Sequence, residues 1–546
     1  MKSSRKLTFF LLPLTISCAH HKEETHPNII LIMADDMGFS DLGCTGAEII
    51  QTPNLDYLAN NGTIFTNFYN AGRSCPTRAS LLTGLYPHKA NMGWMTAADL
   101  GRPGYGGDLA PNALTIAEAL KNKNYQTYMT GKWHVTHDCY MKNDASKHNW
   151  PHNRGFDHFF GTLTGGGSYY TPRALVNQDS IIQPPKDFYL TSAINDSTVS
   201  MIEEHFKTKK ESPFFFYVAH YAPHRPLHAL EEDIKKYEGK FMIGWDSLRV
   251  LRYQNQLSSG MFDSPYRLTS RDQSVPPWES LHDTAKVIWA KRMAVYAAQI
   301  DRMDQGIGHI IEVLKQNNAL DNTLIMFLSD NGGCAEPSGT QTSLAGIEKL
   351  GNSQSEQSYH TPWANVSVVP FRLYKSFNHQ GGITTPLIVH WPKGLTAKEK
   401  YTRQQGHVID LMATILNVAN IEHPGSHADT TILPLQGKSL LPSFHGKPFQ
   451  RGPLFFEHEG NRAIINGDWK LVALGKNQNN QIGNWELYNL KNDPTEMRNL
   501  ADVEKAKAEE LKAQWNLWAE ENQVLPLDNR YWHERIQSAT KQLNAK

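Results

Sequence analysis

The sequence predicts an α/β fold: a mostly parallel sheet flanked by helices, with a smaller C-terminal α+β subdomain. Three observations predict it. Short, continuous apolar runs recur along the chain, each followed closely by polar or charged residues. A long stretch of helical periodicity lies between two of them. Beyond about residue 446 the pattern changes to short strands separated by Gly and Asn turn signals.

The first run, residues 29–33, leads into Asp35 and Asp36. An unbroken apolar run suits a strand buried on both faces of a parallel sheet. Such sheets bind ligands at the carboxyl edges of their strands. Residues 125–129 precede Gly131-Lys132-Trp133-His134, residues 214–219 precede HYAPH, and residues 323–328 precede SDNGG. Residues 387–390 form another run, closed by Trp391-Pro392. In residues 290–314, Met293, Tyr296, Ala297, Ile300, Met303, Ile307, Ile311 and Leu314 recur at three- and four-residue steps, one apolar helix face. Asp301 and Asp304 on that helix read as solvent-facing or structural. Residues 452–474 and 485–490 read as short strands, and residues 501–521 as a helix with Leu511, Trp515 and Trp518 on one side. The predicted organisation is an N-terminal segment at 1–26, a large α/β domain at 27–445 and the subdomain at 446–546.

At 546 residues the chain is long enough for two domains of unequal size. Its 54 basic and 54 acidic residues cancel, which gives no support to general affinity for nucleic acid or anionic membranes. Lys2, Arg5 and Lys6 precede an apolar run at 7–16, too short to span a bilayer. This reads as an export signal. Cys18 after Ser17 resembles the acceptor of a bacterial lipoprotein signal, although Thr15 stands where such signals usually carry an aliphatic residue. The expected location is the bacterial envelope, either periplasmic or lipid-anchored through Cys18. Cys44, Cys75, Cys139 and Cys334 match no zinc spacing and leave room for one disulfide rather than a framework.

The chemistry concentrates in a few segments. Ser74-Cys75-Pro76-Thr77-Arg78 is followed in register by Thr83-Gly84. Asp35-Asp36 and Asp330-Asn331 end two predicted strands, and four oxygen donors without His or Cys suit a hard cation, calcium or magnesium. Lys132, His134 and His224 add cationic and titratable groups after other runs, and Lys375 adds another five residues before Gln380-Gly381-Gly382. Each residue type alone is more often a cap, a turn or a surface group. Their joint placement at strand ends is what points to a site.

Together these segments resemble the formylglycine-dependent sulfatases, most closely the bacterial arylsulfatase-like branch, over roughly residues 27–526. In that family a Cys or Ser is followed by Pro two places on and Arg four places on. That register makes Ser74 the modified residue and Cys75 its neighbour. The resemblance implies an alkaline-phosphatase-like architecture and a maturase that oxidises Ser74 to formylglycine. It implies a hydrate that attacks sulfur and releases sulfate by elimination. An unmodified Ser is a poor nucleophile whose sulfate ester would itself need hydrolysis. The resemblance also implies calcium held by Asp35, Asp36, Asp330, Asn331 and the Ser74-derived group. Arg78, Lys132 and Lys375 would face sulfate, His134 the hydrate and His224 the ester oxygen. Gln380 departs from the family, which typically has Glu before the Gly381-Gly382 pair.

The implied substrates are sulfate monoesters, with O-sulfate on glycans, galactose-type sugars among them, as the expected class. Trp94, Tyr105 and Arg173, in glycine-rich loops that include Gly165-Gly166-Gly167, are candidate substrate-binding residues. Alternatives are an aryl-sulfate hydrolase, a phosphate or phosphonate monoester hydrolase, and a non-catalytic binder of sulfated glycans. The His-rich two-metal set of a classical alkaline phosphatase is not visible in the sequence.

Overall fold

The computed structural model describes residues 26–339, 344–427, 429–476, 481–530 and 532–544. The predicted export signal and Cys18 lie outside the described residues. The main sheet is built on β1 (Asn28–Ala34), β2 (Thr63–Tyr69), β3 (Gln126–Lys132), β4 (His158–Thr162), β5 (Leu175–Asn177), β6 (Ser180–Ile181), β7 (Phe214–Ala219), β8 (Thr323–Ser329), β9 (Thr384–His390), β10 (Tyr401–Thr402) and β11 (Gly406–His407). Its order is β10-β2-β9-β8-β1-β7-β3-β4-β5-β6, with β11 beside β2.

The five strands β8-β1-β7-β3-β4 pair in parallel and form the centre. β1 shows why an unbroken apolar run is needed there. Ile30, Ile32 and Ala34 enter one core while Ile29, Leu31 and Met33 enter the other. Alternate side chains point to opposite faces, so both must be apolar when both are covered. α1 (Pro53–Asn60), α3 (Leu190–Thr208) and α4 (Asp283–Gln316) contribute to the first core, while α2 (Ser74–Thr83) and α5 (Ile409–Val418) contribute to the second. α4 begins seven residues before the predicted 290–314 stretch. Only Ile288 is buried in those seven residues, which is why no apolar stripe announces them.

β9 runs antiparallel to β8, and β2 antiparallel to β9. This reversal positions the site. The amino end of β9 lies at the same edge as the carboxyl ends of β1 and β8, so the segment before β9 reaches the chemistry.

Of the two readings of Asp301 and Asp304, solvent-facing or structural, the structural one holds: both are buried. Asp304 accepts the backbone N–H groups of Asn54 and Leu55 at the start of α1 (3.1 and 2.8 Å), satisfying donors that a helix leaves open. Asp301 accepts from Tyr237 (2.7 Å). Cys44, Cys75, Cys139 and Cys334 are all free thiols.

The C-terminal sheet is antiparallel, β12 (Leu454–His458), β13 (Asn461–Asn466), β14 (Trp469–Ala473) and β15 (Glu486–Asn489) in that order. α6 (Lys505–Glu521) buries Leu511, Trp515 and Trp518 against it, together with Tyr86 and Ile409. Trp518 stacks on Phe455 at 5.0 Å. Among the described residues no helix is long and apolar enough to cross a membrane.

Candidate active site

The strand edges deliver the predicted residues to one place. Ser74 opens α2, with Arg73 extended before it and Pro76 in the first turn, where a missing N–H costs nothing. Its Oγ lies 3.3 Å from Asp35 Oδ1 and 3.4 Å from Asn331 Oδ1. Asp36 Oδ1 accepts from Asn331 Nδ2 at 2.8 Å, and Asp36 N–H donates to Asp330 Oδ1 at 3.2 Å. The turns behind β1 and β8 are thereby tied together.

Three cations reach the same carboxylates. Lys132 Nζ meets Asp35 Oδ2 at 2.6 Å, and Lys375 Nζ lies 2.7 and 2.9 Å from the Asp36 oxygens. Arg78 donates to Asp330 Oδ2 and to the Lys132 carbonyl, both at 2.9 Å. Its guanidinium, fully buried, is therefore committed to the cluster. Asp35, Asp36 and Asp330 against Arg78, Lys132 and Lys375 give three negative and three positive groups, all buried.

The electrostatics follow. Burial and the charges of Asp35 and Asp36 raise Asp330. Asp36 is held well below the ordinary carboxylate range, because Lys375 overrides the cost of its burial. Burial lowers Lys132, whereas the carboxylate of Asp36 overrides burial and raises Lys375. Burial, with Lys132 and Arg78 nearby, holds His134 well below its usual value. Burial pulls His224 down to about 3 despite Asp36. Both imidazoles are neutral at pH 7. His224 Nδ1 contacts the Arg225 carbonyl at 2.5 Å, and its Nε2 lies 3.5 Å from Asp36 Oδ2. His134 Nε2 lies 3.1 Å from Cys75 Sγ, and its Nδ1 is buried without a hydrogen-bond partner.

Local backbone explains the motif glycines. Gly131 has φ +98°, and a Cβ there would sit 1.9 Å from the Ala219 carbonyl oxygen on β7. Asp36, His134 and Ser376 also take positive φ, a strain that clusters at functional sites. A Cβ on Gly165 would meet the His134 ring at 2.0 Å.

Asp35, Asp36 and His224 bring ligand atoms within 4.8 Å of one another, and with Asp330 and Asn331 beside them carboxylate and amide oxygens dominate the set. The mutual repulsion that raises Asp330 is what a cation would relieve. Calcium therefore fits the residues present.

The three candidate substrate residues divide. Trp94 and Tyr105 are buried, which corrects their assignment to substrate. Trp94 Nε1 donates to Glu459 (2.9 Å) and Tyr105 to the Val524 carbonyl (2.9 Å), so both pack against the C-terminal part of the chain. Arg173 is exposed. Gln380 is no catalytic group here. Its Oε1 accepts from Thr384 Oγ1, and its N–H donates to the buried Glu496, so a carboxylate already stands beside this turn.

Sequence reasoning missed Arg73, Arg225 and Glu336, which surround the site. Arg73 lies 2.5 Å from Glu336 Oε1, and Arg225 lies 3.6 Å from Glu336 Oε2. Their adjacency to Ser74, His224 and the SDNGG turn was the available signal.

Comparison with known proteins agrees with this geometry. Residues 27–421 match the Sulfatase family model, and residues 371–523 match the model for the N-sulphoglucosamine sulphohydrolase C-terminal region. An uncharacterized sulfatase of Schizosaccharomyces pombe is 33% identical, covering 94% of this chain and 97% of its own. An arylsulfatase of Klebsiella aerogenes is 34% identical over 77% of this chain and 93% of its own. The crystal structure of Ps i-CgsB in complex with k-i-k-neocarrahexaose superposes with a TM-score of 0.65 at 26% identity, covering 95% of this chain and 99% of that one. With a mostly parallel sheet of alkaline-phosphatase-like architecture, oxygen donors at its carboxyl edge and a family match over most of its length, the chain belongs to the sulfatase family and is a sulfuric ester hydrolase.

Proposed function

We propose that the chain removes O-sulfate from glycans, with galactose-type sugars among the candidate substrates, using a formylglycine made from Ser74 by a maturase. The observation that carries this reading is the position of Ser74 Oγ, buried between Asp35 and Asn331, with Lys132 on Asp35, Lys375 and His224 on Asp36, and His134 on the adjoining Cys75. A formylglycine there supplies, as its hydrate, one hydroxyl to attack sulfur and a second whose deprotonation releases sulfate. Asp35, Asp36, Asp330, Asn331 and the Ser74-derived group would hold calcium, which when bound would supply Lewis-acid polarisation of a sulfate oxygen. A dication added to a neutral residue set leaves the site with two positive charges, which suits an anionic ester.

The chain's own groups divide the remaining work. Lys132 and Lys375 hold sulfate oxygens, and Arg78 keeps Asp330 and the β3 edge in place. Lys375, kept protonated by Asp36, is the resident proton donor for the departing oxygen. His224 is neutral and orients that oxygen through Nε2. The neutral His134 accepts a proton from the Ser74-derived group.

The glycan reading is supported by Ps i-CgsB, whose structure carries a hexaose ligand. The Klebsiella relative favours aryl esters as the second reading. Export through the N-terminal signal, with Cys18 as a lipid anchor, would place the enzyme at the bacterial envelope. Turnover of purified, matured enzyme on sulfated monosaccharides, an aryl sulfate and a matched phosphate ester tests the substrate class. Sugar desulfation is the expected result; hydrolysis confined to the aryl or phosphate ester would sink it.

A further inference from the structure

Three charged side chains stand around the catalytic cluster without belonging to it. Arg73 precedes Ser74, Arg225 follows His224, and Glu336 lies five residues beyond Asn331. Arg73 Nη1 bridges Glu336 Oε1 and Ser376 Oγ, each at 2.5 Å. Arg225 Nη2 stands 3.6 Å from the other Glu336 oxygen, beyond hydrogen-bond range. The Arg73 side chain is 13% exposed, Glu336 31% and Arg225 40%, so the triad opens from the buried site towards solvent.

We propose that Arg73, Glu336 and Arg225 form the leaving-group subsite, in which Glu336 and Arg225 together bind a hydroxyl next to the sulfate ester. The assignment rests on the sugar-sulfate reading and deepens it. The ester oxygen is expected at His224, and the neighbouring Arg225 carries its guanidinium beside Glu336 at the more exposed end of the cluster, the side open to a leaving group. A carboxylate accepts and a guanidinium only donates. The 3.6 Å gap between them offers one acceptor and one donor side by side, which matches a hydroxyl that donates to Glu336 Oε2 and accepts from Arg225 Nη2.

The carboxylate is prepared for this role. Although burial favours its protonated form, Arg73 holds it well below the ordinary glutamate range, with Lys375 and Arg225 adding to the effect. The Glu336 carbonyl is fixed by the Ser358 hydroxyl at 2.8 Å, so the side chain projects from an anchored backbone. The facing loop leaves room. Gly166 has only the His224 ring and the Tyr221 hydroxyl near its missing Cβ, both at 3.5 Å. A plain aryl leaving group brings no hydroxyl, and sites built to hydrogen-bond a substrate hydroxyl discriminate strongly against analogues lacking it.

The test measures kcat/KM of matured wild type, Glu336→Gln and Arg225→Gln on three esters. These are a sugar sulfate that the wild type turns over, its analogue lacking the adjacent hydroxyl, and an aryl sulfate. The expected result is a fall of about 10- to 100-fold in the ratio of sugar-sulfate to aryl-sulfate kcat/KM for each variant. The deoxy analogue should show no such fall. Equal losses on all three esters, or an undiminished ratio, would overturn the subsite while leaving the sugar-sulfate reading intact. A wild type that hydrolyses no sugar sulfate would overturn both. Aryl-sulfate turnover and the melting temperature report folding, so a misfolded Glu336→Gln protein leaves Arg225→Gln to decide.

Discussion

At the residue scale, function depends on buried charges that are useful only as a set. Asp35, Asp36 and Asp330 would repel one another beyond tolerance without Arg78, Lys132 and Lys375. Truncating one member leaves its partner unpaired in a low dielectric. Lys375→Ala is expected to lower kcat/KM on any sulfate ester by about 100-fold or more, because it removes both a sulfate contact and the proton donor. A loss under about threefold in steady-state kinetics would remove Lys375 from the mechanism. Gly165→Ala tests the same scale sterically. Its methyl would displace the His134 ring, and a shift of about 1 Å costs about 100-fold in kcat. Unaltered kcat would show that the ring has freedom to move. Ser74 and its metal-site partners were legible in the sequence because motif spacing fixed the register. Trp94 and Tyr105 were not, because an aromatic in a glycine-rich loop reads alike whether it faces substrate or the C-terminal subdomain.

At the element scale, strand direction does what residue type cannot. β9 runs against β8, so the segment carrying Lys375 begins at the catalytic edge. The buried Lys470–Glu496 pair, 2.7 Å apart, holds this segment from the C-terminal subdomain through the bond from Gln380 N–H to Glu496. Glu496→Ala should destabilise the protein by about 3–5 kcal/mol, since Lys470 is left charged and buried. Denaturant unfolding measures this, and a change below about 1 kcal/mol would show the pair to be dispensable. The parallel strands were readable as unbroken apolar runs. β2 was not, because Thr66 and Asn67 interrupt its pattern where the register shifts between Phe65 and Phe68. Its antiparallel partner β9 carried no sign of direction, which is a property of pairing rather than of local sequence.

At the scale of the whole molecule, one cation would link β1, β8 and α2, which are far apart in the chain but meet at Ser74. Calcium removal by a chelator should therefore lower the melting temperature as well as abolish turnover, since a ligand bound only to the folded state stabilises it. Scanning calorimetry with and without added calcium checks this, and coincident melting curves would argue against a metal at these carboxylates. The α/β architecture and its C-terminal addition were legible from periodicity, whereas the charged rim was not, because it forms only when three turns meet. The central claim is the nucleophile at Ser74, and peptide mass spectrometry of active enzyme from its native host tests it most directly. Oxidation to formylglycine removes two hydrogens, so the account predicts a decrease of about two daltons confined to Ser74. Fully active enzyme with an unmodified Ser74 would contradict it.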